Sequence, residues 1–223
     1  MKNEFIHLIG QRHCTRGFLD KAVERTLLID VLTAAASAPS SQNTQPWKVA
    51  VLSGTTRDDL SRRLCENFCN DGAPTPDYLN RPKDLTESMA ARSAAYGKEM
   101  LEFKGIGRDD KAARRQHRKE NFDFFGAPVE LIFHLPGNAA PGTFLDLGFF
   151  MQNVILGLEA SGLASCPQYS VASFSKIIKS CLALDEDRIV VSGMAVGYPD
   201  QDNSINQFYP KRDALDQYVK FYE

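Results

Sequence analysis

Hydrophobic positions along this chain follow two periods, and each period predicts one kind of element. In most segments they recur at helical spacing. The segments predicted as helices are residues 3–11, 20–38, 58–69, 85–103, 109–124, 143–161 and 173–184, with a last short helix near residue 214. The helix that begins at Asp20 should stop before Pro39, because the residue before a proline avoids helical backbone.

Short apolar or alternating runs predict strands. They occupy residues 47–53, 128–135 and 188–198. Residues 165–170, "SCPQYS", are predicted as a polar loop, because they follow a helix end marked by Gly162. The polar, proline-bearing stretch that begins at Asn70 predicts a long surface connection.

The segment 143–161 is apolar on most of its sides. This pattern is typical of a helix buried in a core or at a subunit interface. The chain has 223 residues, which is long enough for one sizeable core. Because we find no repeat and no linker, the pattern predicts one domain of the α+β class, residues 1–223.

Composition and charge exclude several classes of protein. The hydrophobic fraction of 43% and the charged fraction of 24% are those of an ordinary globular protein. A formal charge of −2 argues against a nucleic-acid partner, and the basic run in residues 109–124 is interpreted as a solvated helix face. No apolar run is long enough to span a membrane. The first residues, "MKNEFIHLIGQRH", lack the apolar block of a secretion signal, so we expect a cytoplasmic protein.

Cysteine and histidine positions indicate no metal site. The five cysteines lack metal-like spacing and are interpreted as structural thiols of a reducing compartment: Cys14, Cys65, Cys69, Cys166 and Cys181. The four histidines form neither a metal cluster nor a catalytic triad. Nucleophile elbows, Walker loops and dinucleotide fingerprints are also missing.

Three polar segments remain as candidates for function, and each has a plain structural alternative. Arg12 and Arg16 flank the first loop and suit a phosphate, because each guanidinium binds oxygens bidentately; the alternative is a surface ion-pair loop. The second loop lies within "APSSQNTQPW", and its amides suit the edge of a heteroaromatic ring; the alternative is local capping. Trp47 is expected in the core. The third candidate segment is residues 167–169, and its structural alternative is a plain connection between helices.

Together these segments resemble the nitroreductase family of FMN-dependent oxidoreductases. The resemblance runs from "RHCTRGF" through "APSSQNTQPW", "FFGAPVELIF" and "GLASCPQYS" to "VGYP". It implies a nitroreductase-like α+β fold with a central mixed, mostly antiparallel sheet flanked by helices. It also implies an intertwined homodimer, in which the second loop of one subunit lines the flavin held mainly by the other.

The resemblance implies a set of cofactor-binding residues. They are Arg12, His13, Cys14 and Arg16 in the first loop, Pro39, Ser40, Ser41 and Asn43 in the second, Pro167, Gln168 and Tyr169 in the third, and in the tail Lys211 or Arg212, one of which is expected near the phosphate. Arg16 is expected at the FMN phosphate and Arg12 at the pyrimidine edge. Cys14 stands where many members have serine. Gln168 and Tyr169 replace a common Glu-Gly pair, which places Tyr169 at the rim of the acceptor pocket.

The implied activity is reduction of nitroaromatic or quinone acceptors with NAD(P)H. Hydride passes through flavin N5 in a ping-pong order, and no protein residue is assigned as catalytic. A helical insertion at about residues 70–126 looks most like the branch of nitrobenzoate reductases. The alternatives keep the fold and FMN but change the reaction to enone reduction, reductive dehalogenation or flavin breakdown. A non-catalytic, flavin-binding redox sensor is the alternative from another class.

Overall fold

The computed structural model describes residues 2–223 and builds them from eight α-helices and four β-strands. In chain order these are α1 (Lys2–Gln11), α2 (Arg25–Ala35), β1 (Lys48–Ser53), α3 (Gly54–Cys69), α4 (Glu87–Phe103), α5 (Lys111–Lys119), β2 (Val129–Leu135), α6 (Pro141–Ala160), β3 (Ala164–Gln168), α7 (Tyr169–Ala172), α8 (Ser175–Leu182) and β4 (Ile189–Gly197). The sequence predicted all of these except β3 and α7. The α+β class is therefore confirmed.

The four strands form one sheet in the order β1-β2-β4-β3. Each pairing within the described chain is antiparallel, with Ser53 opposite Val129 and Gln168 opposite Gly193. Every residue of β2 is buried, which explains its nearly continuous apolar run. β1 and β3 lie at the two edges of the sheet.

Helices cover both faces of the sheet. On one face, α2 and α6 pack over a cluster that includes Leu131, Phe133 and Val154. Trp47 belongs to this cluster and stacks on Phe150 with ring centroids 4.9 Å apart, which confirms its predicted core position. On the other face, α3 and α8 pack over a cluster around Ile132. Burial of both faces accounts for most of the apolar side chains of the chain.

The prediction of a polar loop at residues 165–170 was wrong. Residues up to Gln168 form the edge strand β3, and α7 begins at Tyr169. Ser165 and Gln168 are buried because the strand pairs with β4, a partner that lies far along the chain. Pro167 is tolerated because an edge strand does not need every N–H donor. Local polarity therefore hid a strand whose burial is tertiary in origin.

Two helices are shorter than predicted, because tertiary contacts hold the flanking residues out of helical conformation. Phe18 bridges Pro199, and the Leu19 N–H donates to the carbonyl of Tyr198, so the chain ahead of α2 stays extended. After α5, Phe124 and Phe125 adopt positive φ angles of 57° and 54°. Both aromatic rings are buried in the second core cluster. The helix predicted near residue 214 is a single 3₁₀ turn at Leu215–Gln217.

Apolar side chains remain exposed on one side of α6 and on α1 and α2. Leu147, Phe150 and Val154 of α6 face the core, whereas Leu145 and Phe149 are 66% and 50% exposed. The exposed apolar residues of the other two helices include Phe5, Ile6, Ile9 and Ile29. Within residues 2–223 no helix combines the length and hydropathy needed to span a membrane.

Candidate functional site

A cavity of about 720 Å³ lies between the first polar loop, α4 and the C-terminal segment. Its lining residues are Arg12, His13, Cys14 and Arg16, then Arg92, Ser93 and Tyr96, then Phe208, Pro210, Lys211, Arg212, Asp213 and Tyr218. Five of them are Lys or Arg and one is Asp, so the cavity is strongly electropositive. The structure therefore gathers the predicted residues of the first loop and of the tail around one space.

Asn206 holds the first loop in place. Its side-chain oxygen accepts the backbone N–H groups of Arg16 and Gly17 at 2.8 and 3.1 Å, and its amide nitrogen donates to the carbonyl of Gly17 at 2.7 Å. The His13 ring completes the contact, with Nε2 donating to the carbonyl of Asn206 at 2.7 Å. His13 thus fixes the loop with one ring nitrogen while its ring also packs on Tyr209.

The Arg16 guanidinium is oriented from two sides. It donates to the carbonyl of Cys14 at 3.3 Å and to the Tyr96 hydroxyl of α4 at 2.9 Å. Burial raises the pKa of Tyr96, so the phenol stays neutral and accepts this hydrogen bond. A rigid guanidinium loses less side-chain entropy when it binds an anion than a free one does.

Ion pairs join α4 to the C-terminal segment beside the cavity. Arg92 lies 2.8 Å from Asp213, and Lys211 lies 3.5 Å from Glu99. The candidate phosphate ligands Lys211 and Arg212 are both exposed, and the Arg212 guanidinium donates to the neighbouring carbonyl groups of Pro210 and Lys211. Both side chains can therefore reorient toward an anion in the cavity at a small cost in free energy.

The second loop lies away from this cavity within one chain. Ser41 donates its N–H to the Asp146 carboxylate of α6 at 3.3 Å, and Ser40 accepts the N–H of Gln45 at 3.0 Å. The second bond lies within the loop, and the Ser40 side chain does not cap the 3₁₀ turn Ser41–Asn43 that follows it. Three residues of the loop, Gln42, Asn43 and Gln45, have positive φ angles of 50°, 58° and 45°. Such backbone is unfavourable for residues other than glycine, so the loop holds its exposed polar groups in a strained, defined shape.

The third segment is the junction of β3 and α7. Gln168 is buried, and its amide nitrogen donates to the carbonyl of Asn121 at 2.6 Å. Tyr169 is 51% exposed, and Pro167 is partly buried. Neither these three residues nor Pro39, Ser40, Ser41 and Asn43 line the 720 Å³ cavity. The segment nevertheless adjoins the first loop, since the Thr15 N–H donates to the carbonyl of Ser165 at 3.1 Å.

The same contact brings together the thiols of Cys14 and Cys166. The Cys14 side chain packs against the buried cluster that contains Cys166, and the neighbouring Cys166 thiol lowers the pKa of Cys14 in spite of its burial. The guanidinium groups of Arg16 and Arg12 lower the pKa of Cys14 further. The pKa of Cys166 is raised by its interaction with Cys14 and by burial.

Sequence reasoning missed the wall that α4 contributes. Arg92, Ser93 and Tyr96 line the cavity, and Asn206 positions the first loop. The only signal for α4 was its place in the predicted insertion, because a tyrosine or serine in an amphipathic helix has no distinctive spacing. Asn206 lies in a polar tail segment that showed no pattern.

Comparison with known proteins gives matches along nearly the whole chain. Residues 9–198 match the nitroreductase family. The chain is 34% identical over 221 residues to the 4-nitrobenzoate reductase of Pseudomonas putida, and the match covers 99% of this chain and 96% of that protein.

Solved structures give the same result for the fold. The crystal structure of the FMN and NADPH-dependent nitroreductase NfnB from Sphigopyxis sp. strain HMH matches with a TM-score of 0.94 and 32% identity, covering 98% of this chain and 99% of that one. The FMN-dependent nitroreductase NfnB from Mycobacterium smegmatis, solved in complex with NADPH, matches with a TM-score of 0.95 and 28% identity over the full length of both chains. The predicted nitroreductase-like fold is therefore confirmed.

Proposed function

Because the chain belongs to the nitroreductase family, we propose that it is an FMN-dependent oxidoreductase that uses NAD(P)H to reduce nitroaromatic compounds. The observation that carries this proposal is the electropositive cavity at the arginine-bearing first loop. It occurs in a chain similar over nearly its full length to a 4-nitrobenzoate reductase and to nitroreductases named for FMN and NADPH.

The residues around the cavity fit FMN. A volume of about 720 Å³ lies within the range of small-molecule sites. Arg16, Lys211 and Arg212 line it, so a doubly charged phosphate would find several charge-assisted donors, and Arg12 lines it as well and would face the flavin ring. Bound FMN would supply hydride transfer between NAD(P)H and the acceptor.

We assign the chain's own residues three tasks in this reaction. Arg16, held by Tyr96, binds the phosphate, while Arg12 offers positive charge to the pyrimidine edge of the ring. Gln168 and Tyr169 border the edge of the flavin ring that carries N5. Tyr169 is the first residue of α7, so its backbone N–H has no acceptor inside that helix. Tyr169 offers its exposed ring to a planar acceptor.

We propose a ping-pong order, in which the oxidised nicotinamide leaves before the acceptor binds at the same place. Initial rates measured while both substrates are varied should then give parallel double-reciprocal lines. Intersecting lines would show that both substrates are bound together. Quinones are proposed as further acceptors, because stacking on the ring depends on planarity rather than on the nitro group.

A homodimer completes the proposed site. The second loop holds Ser41 and Asn43 exposed and away from the cavity of its own chain, so their contribution to a flavin requires a second subunit. Exposed apolar residues on α6, including Leu145 and Phe149, offer a surface for that subunit. Such side chains are costly to leave in water.

We further propose that residues 70–126 are a helical insertion within one nitroreductase-like domain. Its helix α4 supplies Arg92, Ser93 and Tyr96 to the cavity wall, so the insertion takes part in cofactor binding rather than standing apart from it. A cytoplasmic location stays a prediction from the sequence.

The absorption spectrum of the purified protein tests the central proposal. We expect a flavin spectrum, release of FMN on denaturation, bleaching by anaerobic NADPH or NADH, and recovery of the colour with 4-nitrobenzoate. Absence of flavin, or FAD in its place, would refute the cofactor assignment. Bleaching without recovery by nitro compounds would point instead to enone reduction, dehalogenation or flavin breakdown. If neither NADPH nor NADH bleaches the flavin, a redox sensor is favoured.

A further inference from the structure

Two thiols lie in contact where the first loop meets β3. Cys14 belongs to the cavity lining, whereas Cys166 lies behind it and is only 2% exposed. The Thr15 N–H bond to the carbonyl of Ser165, at 3.1 Å, holds the two backbones side by side. The Cys14 side chain packs against the buried cluster to which Cys166 belongs, and each thiol shifts the pKa of the other.

We propose that Cys14 and Cys166 are a redox modification site, at which hydrogen peroxide converts the two thiols of the flavin-free protein to a disulfide. The part of the inference that concerns shielding by FMN rests on the proposed function. The pair itself is defined by Cys14 on the cavity wall and by the buried Cys166 behind it, and it does not depend on the reaction catalysed there.

The surroundings of the two sulfurs assign them different roles. Cys14 faces the cavity between Arg12 and Arg16, so a small polar oxidant can reach its sulfur. The neighbouring Cys166 thiol and the two guanidinium charges lower the pKa of Cys14 and favour its thiolate form, which is the nucleophile in thiol oxidation. Cys166 is buried and stays a thiol until Cys14 has reacted, so it acts as the resolving cysteine.

The other three cysteines lack this arrangement. Burial raises the pKa of Cys65 on α3. Burial and the nearby Asp59 carboxylate raise the pKa of Cys181. Cys69 is exposed at the end of α3 and is absent from the lining of the cavity. Cys14 is thus the cysteine that combines access through a cavity, cationic neighbours and a second thiol in contact.

The proposed reaction has two balanced steps. The Cys14 thiolate attacks one oxygen of hydrogen peroxide; an S–O bond forms, the O–O bond breaks, and the departing hydroxide takes up the proton that Cys14 released on ionisation and leaves as water. The Cys166 sulfur then attacks the sulfenic sulfur; an S–S bond forms, the S–O bond breaks, and the departing hydroxide takes the Cys166 thiol proton as water. Two thiols are oxidised to one disulfide, and one peroxide is reduced to two waters.

Bound FMN should shield the pair, because Cys14 lies in the same wall as Arg12 and Arg16, the proposed ligands of the flavin ring edge and of the phosphate. If only the flavin-free form reacts, FMN at ten times its dissociation constant should slow oxidation roughly tenfold. The holoenzyme would then keep its thiols, and only protein that has lost FMN would be modified.

Non-reducing peptide mapping by mass spectrometry tests the proposal on the folded, full-length chain. Flavin-free protein is treated with hydrogen peroxide, with and without added FMN, and free thiols are then alkylated. We expect a crosslink between the peptides that carry Cys14 and Cys166, with its rate lowered by FMN. In Cys166→Ser, Cys14 should instead accumulate as sulfenic acid that dimedone traps. Cys69→Ser is the matched control and should leave the crosslink unchanged.

Several outcomes would overturn the inference. One is oxidation of Cys65, Cys69 or Cys181 in preference to the pair. Another is a sulfenic acid in Cys166→Ser that forms no faster than one at Cys69. If flavin titration shows that FMN binds and yet the crosslink forms at the same rate, the shielding is refuted. If no FMN binds, the proposed function fails, while the crosslink in flavin-free protein still decides the modification site by itself.

Discussion

At the scale of single residues, the orientation of one guanidinium determines how the cavity can bind an anion. Arg16 donates to the Cys14 carbonyl and to the Tyr96 hydroxyl, and its backbone N–H is held by Asn206. Arg12 lines the same cavity and comes from the same loop. The two arginines therefore offer a matched pair of variants that differ in position but not in chemistry.

We expect Arg16→Ala to weaken FMN binding by about ten- to a hundredfold. A hydrogen bond to a charged group contributes roughly 1.5–3 kcal/mol, which corresponds to that range. Arg12→Ala should retain most of the affinity and instead slow turnover, because charge at the ring edge acts on the reaction rather than on the phosphate. Flavin titrations of the two apo-variants and their kcat values measure both effects. Equal, small losses of affinity would show that the two roles are misplaced.

Tyr169 provides a second test at this scale. Tyr169→Gly should leave FMN binding intact, because the contact expected from this position is a backbone N–H that any residue provides. It should raise the KM for a small nitroaromatic and admit bulkier quinones, since the exposed ring both stacks and limits space. Steady-state kinetics with one small and one bulky acceptor measure this. Unchanged constants for both acceptors would remove Tyr169 from the pocket.

At the scale of elements, α4 is held against the rest of the protein mainly by the C-terminal segment. Met100 of α4 is buried with Ile205 and Phe208 in a small cluster of its own. Tyr96 and Phe103 pack their rings on Phe208 at centroid distances of 5.9 and 5.5 Å. The ion pairs to this segment are exposed and contribute little. Phe208 is therefore the main anchor of the helix that carries one wall of the cavity.

We expect Phe208→Ala to loosen α4 without unfolding the sheet. Truncation of a buried aromatic ring costs about 3–5 kcal/mol, and here the loss falls on a cluster separate from the two main cores. Hydrogen exchange followed by mass spectrometry should accelerate in residues 87–103 and stay nearly unchanged in β2. The exposed Phe221→Ala is the control and should change neither. Equal acceleration in β2 would show that the cluster supports the whole fold.

At the scale of the whole molecule, the apolar side of α6 is one of the surfaces that a single chain leaves exposed. Phe149 is 50% exposed, and Leu145 on the preceding turn is 66% exposed. A second subunit that covers them would also bring its second loop to the cofactor. Dimerisation and flavin binding are therefore expected to fail together.

We expect the protein to sediment as a dimer at micromolar concentration. Phe149→Asp should raise the dissociation constant of the dimer at least about tenfold, because an aromatic anchor is replaced by a charge that must lose its water. Leu79→Asp is the matched control, since Leu79 is 70% exposed but lies in the segment before α4. Sedimentation velocity measures both variants. A wild-type monomer that retains flavin would refute the dimer.

A buried carboxyl group should make global stability depend on pH. Glu130 of β2 is fully buried, and burial raises its pKa well above the ordinary 4.5, against smaller opposing effects of the Met194 backbone N–H and the Arg57 charge. The folded state therefore keeps a proton that the unfolded state releases. The stabilising contribution is complete below pH 4.5 and is lost as the pH rises toward the folded pKa, at about 1.4 kcal/mol per pH unit.

Glu130→Gln should flatten this dependence while it keeps the shape of the side chain. Urea unfolding between pH 5 and pH 8 measures how the free energy of unfolding changes with pH. Burial of the neutral amide costs the same free energy at every pH, so it does not alter this slope. We expect the variant to gain stability relative to the wild type as the pH rises. Glu186→Gln, at an exposed position, should follow the wild-type curve. Parallel curves for Glu130→Gln and the wild type would show that Glu130 does not carry the proton.

Sequence pattern alone determined most of this protein, because most of its elements bury one face or one stripe. The periods of 143–161 and 128–135 predicted α6 and β2, and the loop "APSSQNTQPW" indicated the family. In these segments local propensity and burial agree. The same agreement placed Trp47 in the core.

Only the tertiary structure decided the features that depend on partners distant along the chain. Gln168 lies in a strand because β4 pairs with it, and Tyr96 enters the cavity because Phe208 anchors α4. Cys14 and Cys166 are separated by most of the chain and meet through one backbone hydrogen bond between their neighbours. The spacing of hydrophobic residues along the sequence does not predict such contacts. They contribute free energy only when the sheet and the helices have assembled.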